Sequence, residues 1–268
     1  MTTNFISRIC FILLVLVISQ NVFAQSNTKF SWPEGKEAAI SLSFDDGRYS
    51  QVEGGTALLD SLHVKATFYV VPAAVEERLA GWQKAVVSGH EIGNHSLYHP
   101  CSGNFVWSRT HDLENYTLDS MRNELTEANN RIQQLLKVKP IVFAYPCGQK
   151  FIGRGLNTKS YVPLIAEMFI TGRGFLEEIP NDPEFTDFAQ ITGIEMDGKD
   201  FEQIFPLIRE ARKNGKWVVL AGHEMAESGV QTTRLTMLRK LIAYALDPAN
   251  KLWIAPVGTI ATYIKQRG

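Results

Sequence analysis

Short apolar runs alternate along the chain with stretches in which apolar residues recur every three or four positions. The runs are rich in Val, Ile and Phe and are too continuous to have one wet face, which is typical of parallel strands covered on both sides. They predict strands at 39–44, 65–71, near 90–93, 141–146, 167–172, 189–196, 216–222 and 252–257. The helical spacing predicts helices at 119–137, 200–214 and 233–246. This order predicts a parallel α/β fold, either an open sheet or a closed barrel.

The amino-terminal end has a different pattern. Arg8 precedes an apolar run at 9–18, and small residues follow it. The run is short for a bilayer span, so we predict a cleaved secretory signal at 1–24, with an uncleaved anchor as the alternative. We therefore expect a secreted or periplasmic protein without a stable membrane anchor. It would have a short lead at 25–37 and a single domain at 38–268.

Composition changes this interpretation only slightly. The formal charge of −1 and the 45% of hydrophobic residues describe an ordinary globular chain, without the basic excess of a nucleic-acid or membrane-surface protein. Two cysteines remain outside the predicted signal, Cys101 and Cys147. In an oxidising compartment these two residues could pair. The oligomeric state is not predicted.

Four polar clusters come directly after predicted strands. They are "DDG" (45–47), "NHSLYH" (94–99), "YPCG" (145–148) and "GHE" (222–224). In parallel α/β folds, ligands and catalytic groups gather at the carboxyl ends of the strands. All four clusters therefore lie where such a fold places its functional site.

Two of these clusters together could hold a metal ion. His95 and His99 are four residues apart, so both imidazoles could face one ion, although two exposed loop histidines would show the same spacing. Asp46 would supply a third ligand and leave positions open for water and substrate, as in catalytic zinc sites. The neighbouring Asp45 would then be free to act as a general base. In isolation, "DDG" could equally be a helix cap and turn.

His223 follows an apolar strand, where histidine is an unusual residue. A hydrolysed amide needs a proton donor because an amine leaves poorly as an anion. Next to a metal site, His223 is therefore the candidate general acid. By itself, it would be interpreted as a hydrogen-bonded histidine of the core.

The motifs "SFDDG", "HSLYH" and "LAGH" resemble the first, second and fifth motifs of the polysaccharide deacetylases, the NodB-homology group also called carbohydrate esterase family 4. The segments "KATFYV", "GHEIGNHS" and "FAYPCG" are similar to that family as well. The resemblance extends from about Ala38 to the carboxyl-terminal "PVGTIATYI". It implies a distorted (β/α) barrel of about seven or eight mostly parallel strands.

The resemblance also implies an activity, the metal-dependent removal of acetyl groups from an acetylated polysaccharide or oligosaccharide. The bond could be the N-acetyl of a glucosamine or the O-acetyl of a xylose, and the expected ion is Zn²⁺, with Co²⁺ or Ni²⁺ as alternatives. The implied roles are base for Asp45, metal ligands for Asp46, His95 and His99, acid for His223, and the apolar wall that receives the acetyl methyl for Leu220. Tyr145, Pro146 and Cys147 form the third motif, with the Cys147 N–H as oxyanion donor.

Two positions depart from the family pattern. Ala144 stands where the third motif often has an arginine that steadies the base, and Cys147 stands where that motif has an aromatic residue. Arg173, after the next predicted strand, is the candidate replacement, with a surface arginine as the alternative. The fourth motif has no clear match. An inactive carbohydrate-binding relative would also explain the missing arginine, although the other motif residues are present.

Two further predictions concern the surroundings of the site. Cys101 and Cys147 should both border it, so we predict a disulfide between them, with thiolate ligation of zinc as the weaker alternative. We call the segment that contains His95 and His99 the metal loop. Trp107 lies in a long insertion at 103–116 that follows it. Its ring could stack on a sugar or could pack the insertion against the protein.

Overall fold

The computed structural model describes residues 29–267, so the predicted signal at 1–24 lies outside the described residues. In chain order the strands are β1 (Ala38–Phe44), β2 (Thr67–Val70), β3 (Glu91–Asn94), β4 (Val142–Ala144), β5 (Phe151–Ile152), β6 (Lys159–Ser160), β7 (Thr171–Arg173), β8 (Ile194–Glu195), β9 (Trp217–Gly222), β10 (Glu224–Ala226), β11 (Thr232–Arg234) and β12 (Leu252–Ile254). The helices are α1 (Thr56–Ser61), α2 (Pro72–Glu77), α3 (Leu79–Val87), α4 (Leu118–Leu136), α5 (Val162–Met168), α6 (Phe201–Asn214), α7 (Leu235–Leu246) and α8 (Val257–Lys265).

Eight of these strands form one parallel sheet. Its order is β7-β4-β3-β2-β1-β9-β8, and β12 pairs with the first half of β1. The sheet curves back on itself, because Ile191 bridges to Arg173 of β7 while Ile194 of β8 pairs with Leu220 of β9. The predicted distorted barrel of seven or eight mostly parallel strands is therefore confirmed.

Burial explains why β1 lies in the middle of the sheet. All seven residues of "AAISLSF" are buried, as expected for a strand covered on both faces. The main core cluster packs the sheet against α6 and α7, through residues such as Leu42, Ile204 and Leu238. Among the helices within 29–267, none has the length and apolar character needed to cross a bilayer.

The long helices begin and end where their sequences provide caps. Thr117 and Ser120 form a capping box at the start of α4, and Asp200 and Gln203 form one at the start of α6. Gly215 ends α6 in the left-handed conformation, which glycine adopts without steric cost. The helices predicted at 119–137, 200–214 and 233–246 are thus confirmed to within two residues.

Three predicted strands are wrong in part. The run at 167–172 is helical in α5 up to Met168, and β7 begins only at Thr171. Pro163 in the first turn favours that helix, and a short apolar run alone does not distinguish a helix end from a strand. The run at 189–196 contains only the two-residue β8, and the run at 252–257 ends in the first residue of α8.

Candidate metal centre and catalytic site

The predicted polar clusters meet at the carboxyl edge of the barrel. They surround a cavity of about 680 Å³ whose lining includes Asp45, Asp46, His95, His99 and His223. Gln51 joins the ends of two neighbouring strands, since its side-chain amide donates to the carbonyls of Asp45 (2.7 Å) and His223 (2.9 Å). The first and fifth motifs are therefore held side by side.

Three potential metal ligands face one point in this cavity. The Asp46 Oδ1 atom lies 3.4 Å from His95 Nε2 and 3.3 Å from His99 Nε2. All three ligand atoms lie within 4.8 Å of one another. Asp46 Oδ1 is buried and has no hydrogen-bond partner among the described residues. A buried carboxylate oxygen without a partner is costly, and a cation bound between the three side chains would remove that cost. The donor set therefore fits a divalent ion.

The protonation of the two imidazoles suits metal binding. His95 Nδ1 lies 2.9 Å from the carbonyl oxygen of Ala144, so this nitrogen carries the proton and Nε2 keeps its lone pair. Burial, followed by the charge of nearby His95, lowers the pKa of His99 to about 4. His99 is therefore neutral at pH 7. Burial would raise the pKa of Asp46, but the adjacent imidazoles of His95 and His99 outweigh burial and hold that pKa well below its usual range.

Three residues at the candidate metal centre have unusual backbone conformations. Asp46, Ser96 and His99 have φ values of 72°, 65° and 52°. Such conformations are uncommon for residues other than glycine and persist when surrounding contacts over-determine them. Glu124 of α4 supplies such contacts, since its buried Oε1 accepts hydrogen bonds from the backbone N–H groups of residues 97 and 98. No sequence pattern predicted this role for Glu124, because an acidic residue in an amphipathic helix is usually exposed.

Asp45, the predicted base, is buried against Arg173. The Arg173 guanidinium donates to Asp45 Oδ1, and it also donates to the Gly174 carbonyl at 2.7 Å. Its carbon atom lies 5.0 Å from the ring centre of Tyr69. Burial alone would lower the pKa of Arg173, but the charge of Asp45 outweighs it and raises that pKa. The predicted replacement for the missing third-motif arginine thus lies in contact with the base.

Asp197 is the partner of His223 that the sequence analysis did not identify. Its Oδ2 accepts a hydrogen bond from His223 Nδ1 at 2.7 Å, and its Oδ1 accepts one from Thr233 at 2.6 Å. Gly222 makes room for this contact, because a Cβ there would lie 2.0 Å from Thr233 Oγ1. Asp197 directly follows the predicted strand at 189–196, so the strand-end rule that located the other clusters could have located it too.

The third motif forms a turn that contributes to the lining of the cavity. Cys147 lines the cavity with φ = 54°, and its neighbour Tyr145 donates to the carbonyl of Ala189 at 2.7 Å. Cys101 and Cys147 form a disulfide with a Cα–Cα distance of 6.0 Å. This bond connects the metal loop to the turn that begins at Pro146.

Leu220 requires a correction. It is fully buried in the core cluster that contains Ile204 and Leu238, and it does not line the cavity. Side chains alternate along a strand, and in β9 the position of Leu220 faces the helices instead of the site. Apolar residues that do line the cavity include Val71, Phe175 and Leu176.

Aromatic residues of the insertion form one rim of the cavity. Trp107 is 59% exposed, and its ring centre lies 5.7 Å from that of His99. Phe105 stacks on Trp107 at 5.5 Å. Exposed aromatic rings next to a polar cavity are suited to stacking against the apolar faces of a ligand.

Comparison with known proteins gives this fold and site a family context. Residues 33–158 match the model of the polysaccharide deacetylase family, so the resemblance deduced from the motifs is confirmed over that segment. The chain is 41% identical over 64 residues to the peptidoglycan-N-acetylglucosamine deacetylase PgdA of Listeria monocytogenes, an alignment that covers 23% of this chain and 13% of that protein. It is 28% identical over 134 residues to the peptidoglycan-N-acetylglucosamine deacetylase of Bacillus cereus, covering 46% of this chain and 44% of the other. The chain thus spans less than half the length of these curated relatives.

Solved structures share the fold. A protein from Mycobacterium smegmatis assigned as a polysaccharide deacetylase superposes with a TM-score of 0.65 at 19% identity, covering 90% of this chain and 94% of the other. A family 4 acetyl xylan esterase from Clostridium thermocellum, in complex with a cobalt ion, gives a TM-score of 0.53 at 20% identity, covering 84% and 91%. A mutant of BA3943, a CE4 family pseudoenzyme with restored enzymatic activity, gives 0.54 at 18% identity, covering 86% and 69%. At these identities the comparisons establish the fold alone.

Proposed function

We propose that this chain, whose residues 33–158 match the model of the polysaccharide deacetylase family, is a metal-dependent hydrolase that removes acetyl groups from a carbohydrate. The observation that carries the proposal is the convergence of Asp46, His95 and His99 on one point, in the cavity that Asp45 and His223 also line. A divalent ion held by these three side chains would act as a Lewis acid and lower the pKa of water to roughly 7.

The remaining steps belong to the side chains of this protein. Asp45 takes a proton from the attacking water, and the buried Arg173 balances its charge and fixes its orientation. Cys147 lines the cavity, and its backbone N–H would donate to the oxyanion that develops on the acetyl group. His223 donates a proton to the departing nitrogen or oxygen, with its ring oriented by Asp197. Asp46, His95 and His99 would hold the ion, for which Zn²⁺ is proposed, with Co²⁺ or Ni²⁺ as alternatives.

The proposed substrates are acetylated polysaccharides or their oligosaccharides. The aromatic rim formed by Phe105 and Trp107 supports this class, since sugars present apolar faces to aromatic rings. Val71, Phe175 and Leu176 provide apolar surface for an acetyl methyl. Two of the relatives named above are described as acting on peptidoglycan N-acetylglucosamine, and one structural neighbour as acting on acetyl xylan. Both N-acetyl and O-acetyl groups are therefore proposed as possible substrates.

We expect the protein to release acetate from at least one member of a panel of chitin oligomers, peptidoglycan and acetylated xylan. A chelator should reduce this release to the level of the buffer, and added Zn²⁺ or Co²⁺ should restore it, because the residues of the chain alone provide no Lewis acid. Enzymatic measurement of free acetate gives the readout. If the metal-loaded protein releases no acetate from any member, the proposed activity is wrong.

The alternative is a carbohydrate-binding relative without catalysis. The similarity to the BA3943 fold makes it a concrete candidate, because that protein is described as a pseudoenzyme. The contact between Arg173 and Asp45 weighs against it here, since it compensates for the missing third-motif arginine. Binding of acetylated oligosaccharide without acetate release would establish the alternative.

Activity should decline at high pH because His223 must carry the proton that it donates. Burial lowers the pKa of His223, but the hydrogen bond that His223 donates to Asp197 and the charges of Asp45 and Asp46 outweigh burial and raise that pKa above its usual value. The acid is therefore present below this raised pKa and is lost as the pH rises through it. Asp197→Asn removes one of the raising contacts, so the alkaline limb of the kcat profile should move to lower pH by roughly 1 unit.

The pH profile of an amide substrate provides the measurement for this prediction. Asp119→Asn, which changes an exposed carboxylate on α4, is the matched control and should leave the profile unchanged. An alkaline limb that does not move in Asp197→Asn would contradict the role of this pair.

We also propose that the protein acts outside the cytoplasm, in a secreted or periplasmic location. The predicted signal at 1–24 and the disulfide between Cys101 and Cys147 both support this location. Amino-terminal sequencing of protein recovered from the periplasm or medium tests it, with cleavage after Ala24 as the expected result.

A further inference from the structure

The two carboxylate oxygens of Asp46 lie in different surroundings. Oδ1 faces His95 and His99 and has no hydrogen-bond partner among the described residues. Oδ2 instead faces Arg48, which follows the "DDG" motif and has no role in the proposed chemistry. The Nε atom of Arg48 donates to Oδ2 at 2.9 Å, and the NH2 nitrogen of the same guanidinium lies 2.8 Å from it. Two nitrogens of the Arg48 guanidinium thus contact Asp46 Oδ2, one of them through a hydrogen bond.

Arg48 is itself held in place from the far side of the cavity mouth. Its guanidinium donates to Gln231 Oε1 at 3.3 Å, and its NH1 nitrogen lies 3.8 Å from Glu224 Oε1. Glu224 accepts a hydrogen bond from Ser50, whose Oγ in turn accepts one from the Met225 N–H at 2.8 Å. Arg48 therefore connects the end of β1 to the β10–β11 pair, and its direction toward Asp46 is fixed by several contacts.

We propose that Arg48 is a positioning residue that restricts Asp46 to binding a metal ion through Oδ1 alone. With Oδ2 held by a charge-assisted hydrogen bond from Nε and an ion-pair contact with the NH2 nitrogen, the carboxylate does not turn to give both oxygens to the ion. One-oxygen binding leaves coordination positions open, which a catalytic ion needs and a structural ion does not. The inference rests on the proposed function for its catalytic consequence, but its structural part concerns metal coordination only.

The contacts of Asp46 with its neighbours explain why such a residue is needed. Asp46 Oδ1 has no hydrogen-bond partner among the described residues, so the contact of Oδ2 with Arg48 is what orients the carboxylate. The charge of Arg48 also affects a bound ion. The guanidinium partly neutralises the negative charge of Asp46, so the ion would be more electrophilic. Partners of metal ligands commonly change metal affinity or activity by roughly 10–100-fold when they are replaced.

The test compares Arg48→Met and Arg48→Lys with the unaltered protein, each loaded with Co²⁺. The visible absorption of bound Co²⁺ weakens as its coordination number rises, so it reports on whether Asp46 gives one oxygen or two. We expect Arg48→Met to show weaker absorption per bound ion, with kcat for acetate release reduced roughly 10–100-fold and KM changed little. Arg48→Lys, which retains one cation at Oδ2, should be intermediate in both measurements.

Arg122→Met is the matched control. Arg122 also contacts a carboxylate through two nitrogens, at 2.9 and 2.7 Å from Glu167, but both residues are exposed on helices α4 and α5. This variant should keep the cobalt spectrum and kcat unchanged. Arg48 is 38% exposed, and circular dichroism checks that its variants remain folded.

The remaining outcomes overturn the inference, the proposed function or both. A reduced kcat or a raised KM with an unchanged cobalt spectrum would mean that Arg48 contacts substrate. An unchanged spectrum with unchanged kinetics would mean that Arg48 is only a surface residue. Failure of the unaltered protein to bind Co²⁺ would overturn both this inference and the proposed function. A protein that binds Co²⁺ and responds to Arg48→Met, yet releases no acetate, would overturn the proposed function alone.

Discussion

Replacing His95 with alanine is expected to abolish metal binding at the site and to reduce acetate release about a thousandfold or more. His95 is 2% exposed, and the Ala144 carbonyl fixes its ring so that Nε2 faces Asp46. Without it, the ion retains only Asp46 and His99, too few protein ligands for a catalytic zinc site. A bound ion supplies several kcal/mol of transition-state stabilisation, and each ~1.4 kcal/mol is a factor of ten in rate.

Metal content after dialysis and acetate release are the two measurements. His63→Asn is the control, because His63 is exposed outside the cavity and its left-handed backbone, with φ = 57°, suits asparagine. It should retain one ion and full activity. One equivalent of metal bound to a folded His95→Ala protein, with activity near that of the unaltered chain, would show that the ion is held elsewhere.

The second large effect is on stability. Arg173→Met should lower the free energy of unfolding by about 3–5 kcal/mol, because it leaves the charge of Asp45 buried without its cation. Asp45 and Arg173 are 3% and 0% exposed, so solvent does little to compensate. The double variant Asp45→Asn/Arg173→Met should recover most of this loss, since both buried charges are then absent.

Chemical denaturation of the single and double variants measures this coupling. Arg131→Met removes an exposed pair with Glu76 and should cost no more than about 1 kcal/mol. Single losses that simply add in the double variant would show that the two charges do not stabilise each other. Acetate release should stay roughly 10²–10⁴-fold reduced in the double variant even where stability returns, because Asp45→Asn removes the base.

The sequence was sufficient for the residues whose role depends on local position. Asp46, His95 and His99 were predicted as a set because each follows an apolar strand, and parallel strands place their carboxyl ends at one edge. The parallel α/β class was predicted because continuous apolar runs alternate with helical spacing, and the resemblance of the motifs to the family implied the closed barrel. Where a short run gave no clear period, as at 167–172, the prediction was partly wrong.

Side-chain contacts between distant parts of the chain could not be predicted from the sequence. Arg173 and Asp45 are 128 residues apart, and the surface and buried interpretations of Arg173 remained open until the strands were assembled. Asp197 was not identified as the partner of His223, and Arg48 was not identified as the partner of Asp46. Leu220 was assigned to the site by the family resemblance, although the alternation of side chains along β9 places it in the core.

The sequence by itself therefore determined the class of fold, the family of the matched segment and the residues at the strand ends that could hold a metal. Only the tertiary structure decided which side chains support those residues. The physical reason is that apolar periodicity reports burial along one element, whereas a buried charge or an imidazole takes its partner from whichever element the closed sheet brings against it.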